Sequence, residues 1–294
     1  EENRDILRDF YGIIKPMDPH LEFVILTGVT KFSKVSIFSE LNNLLDITTH
    51  PNYSQLVGIT EEEIKEEFTD YIKTATEKLE ITESELFSEL KKWYNGYSWN
   101  EEDRVYNPFS LLSFFSAYKF SNYWFATGTP TFLVNFIRDN SVQPEEIEKT
   151  EVDSIFFDKF DLREMDIKAL MFQTGYLTIK DRDKYGFYIL DYPNKEVRDS
   201  FNGHLLSGLS GKEISSTGQI TKNLLKSLRS NNINEFQKNI NALFSSIPHQ
   251  IFIKNTEAYY HSLIFLILRM IGIYIDCEVS TSEGRVDAVI KTDS

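Results

Sequence analysis

Apolar residues recur at intervals of three and four along the first fifteen positions, which is the spacing of an amphipathic helix. Proline at positions 16 and 19 ends this helical pattern. The apolar residues at positions 23–26 are consecutive, and such a run is typical of a parallel strand covered on both faces. The chain therefore opens with a predicted helix and a predicted strand, residues 22–26, of an α/β layer.

Helical spacing dominates the next part of the chain. Thr60 and Glu63 form a capping-box pattern in front of an apolar stripe. Asn107 followed by Pro108 has the form of a helix cap with proline at the first helical position. These signals predict several helices after the α/β layer, and the fold class predicted for the chain is α/β and mostly helical.

The middle of the chain changes to a helix, a hairpin and a second helix. A helix is predicted at residues 166–173, strands at 176–180 and 187–190, and a helix opening at Pro193. This is the order of a winged-helix module, which would bind nucleic acid, but it also fits a small α+β unit without a ligand. The turn, Asp181 to Tyr185, and Lys180 before it carry alternating charges, which favours the unit without a ligand, because DNA binding needs a basic patch.

The last predicted helix and hairpin contain isolated acidic residues. A helix opening at Asn255 or Thr256 and stopping at Gly272 places Glu257 near its first turn, on the inward side. Glu257 stands four residues before His261, the one histidine worth testing for a role.

Asp287 lies between apolar residues of a predicted strand, next to Arg285 and following Glu278 of the preceding strand. Two explanations stay open for these carboxylates. In the first, they face solvent: the helix dipole favours an acid in the first turn of a helix, and an edge strand has an outward face. In the second, they are ligands of a divalent cation, which binds carboxylate oxygens.

Composition narrows the class of protein. The chain has 294 residues, 41% apolar and 14% aromatic, so it is long enough for several folded domains. A net charge of -14 argues against broad binding to nucleic-acid backbone. The single cysteine, Cys277, cannot form a disulfide within the chain, and no apolar run is long enough to cross a membrane. We expect a cytoplasmic protein.

The stretch LTGVTKFSK, residues 26–34, follows the predicted first strand with glycine, hydroxyls and lysines, the residue types that contact phosphate. It is too short to wrap a phosphate by itself and has no second glycine before Lys31. We therefore expect it to form one wall of a nucleotide site.

Several segments together resemble a family of bacterial AAA-like ATPases that close with a PD-(D/E)XK nuclease-like domain. The segments are LTGVTKFSKVSIFSELNNLLDIT, WYNGYSW, VYNPFSLL, YWFATGTPTFL, FQTGYLTI, YPNKEVR, and the series Glu257, Tyr260, Glu278 and Gly284 to Asp287. The resemblance implies four parts. Residues 1–60 would form the C-terminal part of an ATPase core, and residues 61–150 would form a helical lid. Residues 151–214 would form a winged-helix-like module, and residues 215–294 would form a helical lead-in and the N-terminal part of the nuclease-like domain.

The resemblance also implies roles for named residues. Thr27, Thr30 and Lys31 would occupy a sensor position that reports the γ-phosphate of ATP. Glu257 and Asp287 would be catalytic residues and Mg²⁺ ligands, with Glu278 as a further ligand. The resemblance implies ATP and Mg²⁺ as cofactors and DNA or RNA as the substrate. We also expect assembly into a homo-oligomer or binding to a protein partner.

The sequence departs from the family pattern in two places. It contains no G-x-x-x-x-G-K-[ST] phosphate loop, and no E-x-K follows Asp287. We therefore expect a fragment that by itself neither hydrolyses ATP nor cleaves DNA. The alternative is a binding or scaffold protein that uses the lid and winged-helix-like module to recruit a protein or DNA.

Overall fold

The computed structural model describes residues 2–28, 44–127, 130–157, 166–245, 256–272, 274–281 and 284–291. Of these, residues 2–4, 126–127, 256, 274–281 and 284–291 are described by their backbone alone. The described chain is mostly helical with two small antiparallel sheets, which confirms the predicted fold class.

The α-helices are α1 Glu2–Gly12, α2 Ile14–Met17, α3 Glu61–Glu67, α4 Thr69–Leu79, α5 Glu83–Tyr94, α6 Pro108–Ala117, α7 Thr131–Asp139, α8 Ile167–Gln173, α9 Lys195–Ser210, α10 Ile214–Arg229, α11 Ile233–Ser245 and α12 Thr256–Met270. The strands are β1 Thr150–Val152, β2 Thr178–Arg182, β3 Tyr188–Asp191, β4 Tyr274–Thr281 and β5 Gly284–Lys291. Among the described residues, no helix is long and apolar enough to span a membrane.

The chain divides into two compact units. Unit 1 combines Glu1–Ser121 with Lys149–Lys195, and unit 2 combines Asn122–Glu148 with Glu196–Ser294. These units cut across the four parts implied by the resemblance, and that finer division stays a prediction.

Unit 1 is built on helices whose starts follow the predicted caps. Thr60 and Glu63 form a complete capping box at α3, and the Asn107 side chain accepts a hydrogen bond from the backbone N–H of Ser110 at the start of α6. The stripe predicted after Thr60 is interrupted at Phe68, which separates α3 from α4. The ring of Phe68 stacks on the ring of Phe115 of α6, and the two ring centroids are 5.2 Å apart.

The small sheet of unit 1 confirms the predicted order of helix, hairpin and helix. Strands β2 and β3 pair in an antiparallel hairpin between α8 and α9, and β1 adds to β3, which gives the order β1-β3-β2. The winged-helix assignment itself stays a prediction.

A close backbone approach joins WYNGYSW to this hairpin. Gly96 has a φ of 106°, and a Cβ at this position would overlap the carbonyl oxygen of Pro193. The hydroxyl of Thr178 accepts from the backbone N–H of Ser98 at 2.7 Å and donates to its carbonyl at 2.9 Å. Glycine is therefore required at position 96.

Unit 2 is a helical assembly followed by the β4–β5 hairpin. A Cβ on Gly208 of α9 would overlap Val134, so α9 and α7 lie in close contact. The Tyr259 hydroxyl of α12 donates to the carbonyl oxygen of Leu209 at 2.7 Å, which ties α12 to the end of α9. The predicted strands of this region are confirmed as β4 and β5.

The predicted strand at residues 22–26 is wrong as a feature of the described structure. These residues form no ladder, and Phe23 is 80% exposed. A strand exists only when its backbone pairs with a neighbour, and no described segment pairs with this one. The apolar residues 23–26 are therefore not part of a sheet in the described structure.

Candidate functional site

The predicted nucleotide-contacting residues follow residues 22–26 in the sequence. Thr27 is described and exposed, whereas Thr30 and Lys31 lie outside the described residues. The structure therefore places one of the three residues, and its hydroxyl is open to solvent.

The part of the chain that contains Thr27, residues 5–57, is rich in exposed apolar side chains. More than half of the large apolar side chains exposed in the described chain occur before residue 58. On α1 and the extended segment they include Ile6, Phe10, Ile13, Phe23 and Ile25. Exposed apolar side chains concentrated in one stretch of the chain favour a contact with another element or partner.

The C-terminal carboxylates begin with Glu257 in the first turn of α12. Its side chain is exposed, so the expected inward placement is wrong. Helix α12 is apolar around most of its circumference. The sequence pattern therefore does not indicate which side of its first turn faces solvent. An exposed carboxylate here needs no partner and is available to a ligand.

The hairpin places the other two predicted ligands opposite one another. Cys277 pairs with Ala288 and Val279 with Val286, so the residues between them, Glu278 and Asp287, share a register position. Directly opposed residues of an antiparallel pair have neighbouring Cβ atoms on one face of the sheet. The hairpin follows α12 directly, which carries Glu257.

Three pairs of side chains join α12 to the segment around the 3₁₀ turn Pro144–Glu146. Nδ1 of His261 lies 2.9 Å from Oε1 of Glu145. The Ser262 hydroxyl donates to Oε1 of Gln143 at 2.7 Å, and Arg269 pairs with Glu148. Polar contacts thus fix this helix along its length.

Glu145 is the partner that the sequence did not reveal. Burial raises the pKa of its carboxyl, and the adjacent His261 offsets part of that rise. The backbone of residue 145 itself also opposes that rise in the pKa, and Nδ1 of His261 lies 2.9 Å from Oε1. No local pattern marks residue 145, because the contact joins segments far apart in the sequence.

A second buried carboxylate joins two of the quoted motifs. Glu196, in the first turn of α9, is fully buried, and its Oε1 accepts a 2.8 Å hydrogen bond from the backbone N–H of Trp124. Glu196 belongs to YPNKEVR and Trp124 to YWFATGTPTFL. The contact gives Glu196 and Trp124 a structural role within unit 2.

The cations of the β2–β3 turn are largely engaged within unit 1. Nζ of Lys180 donates to the carbonyl oxygen of Pro193 at 2.6 Å, and Arg182 lies over the ring of Tyr188. Asp183 accepts from two backbone N–H groups of its own turn. These contacts agree with a packing role for the hairpin.

Among the described side chains, no three histidine, cysteine or carboxylate groups are placed to hold a metal ion. Two predicted ligands, Glu278 and Asp287, are described by their backbone alone. Among residues whose side chains are described, Glu257 and His261 are the metal-ligating types that precede them most closely in the chain, and they stand one helical turn apart.

Comparison with known proteins adds a partial likeness. Residues 1–38 match the model of a family described as predicted AAA-ATPase. A protein of Azotobacter chroococcum mcd 1, named "Uncharacterized protein in vnfD 5'region", is 38% identical over 296 residues, which cover 98% of this chain and 55% of that protein. The chain thus spans about half the length of this relative. No solved structure matches the chain.

Proposed function

We propose that the chain is part of an AAA-like ATPase in which ATP binding and hydrolysis are coupled to nucleic-acid processing by a metal-dependent nuclease-like domain. The observation that carries the ATPase part is the match of residues 1–38 to predicted AAA-ATPases. This segment contains Thr27, Thr30 and Lys31. Hydroxyl and ammonium groups of this kind are suited to contact a γ-phosphate.

The exposed apolar side chains near Thr27 support the same proposal. In an α/β nucleotide-binding core, a helix and strand of this composition are covered by neighbouring elements. Phe10 and Phe23 are 65% and 80% exposed here. We propose that α1 and residues 23–26 pack against the remainder of such a core in the whole protein.

The nuclease-like part of the proposal rests on the resemblance and on the backbone of unit 2. Helix α12 with Glu257 is followed by a hairpin in which Glu278 stands opposite Asp287. Three carboxylates supplied by a helix and two paired strands suit a divalent cation that polarises a phosphodiester and activates water. We assign these three residues to that cation.

ATP hydrolysis by the full-length protein tests the first part. We expect steady-state phosphate release by the wild type and a loss of about a hundredfold in kcat for Lys31→Ala, because one charge-stabilising donor is removed. Lys34→Ala, in the same segment, serves as the control and should retain activity. A wild type without ATP turnover would refute the ATPase proposal.

Nicking of supercoiled DNA in the presence of Mg²⁺ or Mn²⁺ tests the second part. We expect Asp287→Asn to abolish nicking, whereas Asp70→Asn, which removes an exposed acid on α4, should nick normally. Cleavage unchanged in Asp287→Asn would show that this carboxylate does not hold the cation.

A further inference from the structure

Helix α10 carries three basic residues on one face. Lys222, Lys226 and Arg229 follow one another at intervals of four and three residues, so they lie along one side of the helix over about 10 Å. All three residues are exposed. The opposite side of α10 is buried and includes Thr217 and Leu224. The helix is therefore anchored by its back and presents this basic face to solvent.

The basic face is a local exception in an acidic chain. Acidic residues outnumber basic ones by 45 to 31 in the whole sequence. Residues 214–234, in contrast, contain the three basic residues and no aspartate or glutamate. Charges more than about 10 Å apart are largely screened at about 0.1 M salt, so distant acidic surface opposes an anion on this face only weakly.

The three cations of the basic face are not engaged by the protein itself. Among the described side chains, no carboxylate is within ion-pair distance of any of them, and none of them lies over an aromatic ring. The cations of the β2–β3 turn differ, because Lys180 donates to the carbonyl oxygen of Pro193 and Arg182 lies over Tyr188. The basic face can therefore bind an external anion without breaking an internal contact.

The helix dipole accounts for only part of this arrangement. It favours cations in the last turn of a helix, where Lys226 and Arg229 lie, but Lys222 precedes that turn. Helix α5 also ends in lysines, and there Lys92 pairs with Glu89 of the same helix. Helix α10 has no acid to play that part.

The chemistry of the surrounding residues favours a nucleic-acid backbone over a protein surface. Duplex DNA carries one phosphate charge per about 1.7 Å of its axis, so a face of about 10 Å meets several phosphates at once. The exposed residues Ser215 and Gln219 share this side of α10, and the exposed Asn231 follows it. Hydroxyl and amide groups of this kind donate to phosphate oxygens. A protein interface would instead be expected to have large apolar or aromatic anchors at its centre.

We propose that the basic face of α10 binds the phosphate backbone of the nucleic acid on which the protein acts. This inference rests on the proposed nucleic-acid processing and names a surface that holds the substrate. Contacts to phosphate position a nucleic acid and do not read its sequence. The basic face therefore binds without preference for base sequence, and its affinity falls steeply as salt is added.

Equilibrium binding of labelled duplex DNA to the full-length protein tests this proposal. Fluorescence anisotropy is measured over a series of salt concentrations and without divalent cation, so that no cleavage occurs. The variant that combines Lys222→Gln, Lys226→Gln and Arg229→Gln removes three phosphate contacts. We expect its affinity to fall about a hundredfold at about 0.1 M salt, and the slope of log affinity against log salt to become shallower by about 3.

Two further variants separate charge from structure. Lys222→Arg with Lys226→Arg and Arg229→Lys keeps all three charges and should bind DNA as the wild type does. Lys73→Gln with Lys78→Gln and Lys91→Gln is the matched control, because it removes the same charge from exposed positions of α4 and α5. The control should retain the affinity and the salt slope of the wild type. Thermal unfolding should be nearly the same for all of them, since every substituted residue is exposed.

The outcomes distinguish this inference from the proposed function. DNA affinity unchanged by the three substitutions in α10 would overturn the role of the basic face and leave nucleic-acid processing standing. An equal loss in the matched control would show that only net charge matters, and would likewise overturn it. Unchanged DNA affinity with an altered oligomeric state in sedimentation would assign the face to a protein contact instead. A wild type that binds neither duplex DNA, single-stranded DNA nor RNA would overturn both proposals.

Discussion

Oε1 of Glu196 accepts a 2.8 Å hydrogen bond from the backbone N–H of Trp124, and the carboxylate is fully buried. The bond fastens the 3₁₀ turn Trp124–Thr127 to the first turn of α9. Glu196 also lies in the first turn of the helix, where acidic side chains are favoured. Glu196 therefore stabilises unit 2 through both the hydrogen bond and its position on the helix.

Replacing Glu196 with alanine should lower the free energy of unfolding by about 2–3 kcal/mol, because a buried donor is left without its charged acceptor. Glu196→Gln keeps an acceptor oxygen and should cost less. Urea unfolding measures both. Glu235→Ala on α11 is an exposed control, expected within about 0.5 kcal/mol of the wild type. An equal, small effect of all three changes would contradict the role of Glu196.

Gly96→Ala should destabilise unit 1 by about 3 kcal/mol or more, since its φ of 106° and the nearby Pro193 carbonyl leave no room for a Cβ. Gly218 lies within α10 with open space around it. Gly218→Ala should therefore be neutral or stabilising by up to about 1 kcal/mol. Thermal unfolding of the two variants compares them, and a Gly96→Ala protein as stable as the wild type would disprove the close approach.

Burial lowers the pKa of His204, whose ring lies 5.8 Å from that of Phe125. The unfolded state then binds a proton more readily than the folded state. The stability contributed by this group is present above 6.5, the ordinary pKa of an imidazole, and is lost as the pH falls through the lower folded pKa.

His204→Gln should flatten this part of the pH dependence. The measurement is the difference in unfolding free energy between variant and wild type from pH 7 to pH 5, which cancels the contributions of all other groups. An unchanged difference across that range would show that His204 is not the group responsible.

Phe23 provides a test of the surface around Thr27. In the 294-residue chain Phe23→Ala should leave stability nearly unchanged, because the side chain is 80% exposed. In the full-length protein it should cost about 1.5–3 kcal/mol if the ring is buried against the rest of an α/β core. Tyr185→Ala, also a highly exposed aromatic, is the control and should have little effect in either protein. The same small effect of Phe23→Ala in both would argue against that core contact.

Local features of the fold could be predicted well from the sequence. The cap of Thr60 with Glu63, the cap at Asn107, and the order of helix, hairpin and helix depend on residues close together in the chain. The strand predicted at residues 22–26 failed, because a strand also requires a distant partner and the local run carries no information about one.

The candidate site shows the same division. Sequence spacing singled out Glu257, His261 and Asp287 as candidates only, and the hairpin register places Glu278 opposite Asp287. The outward position of Glu257 could not be predicted, because α12 has no sharp polar face. Glu145 was missed since its contact with His261 depends on how α12 lies against a segment distant in sequence.

Equilibrium binding of ATP and ADP to the full-length protein, measured by calorimetry with Mg²⁺, tests the ATPase proposal most directly. If Thr27, Thr30 and Lys31 contact the γ-phosphate, the wild type should bind ATP and Lys31→Ala should weaken ATP binding by about tenfold while leaving ADP binding unchanged, since one charge-assisted contact is worth about 1.4 kcal/mol or more. Absence of nucleotide binding, or an equal loss for ATP and ADP, would contradict the assignment.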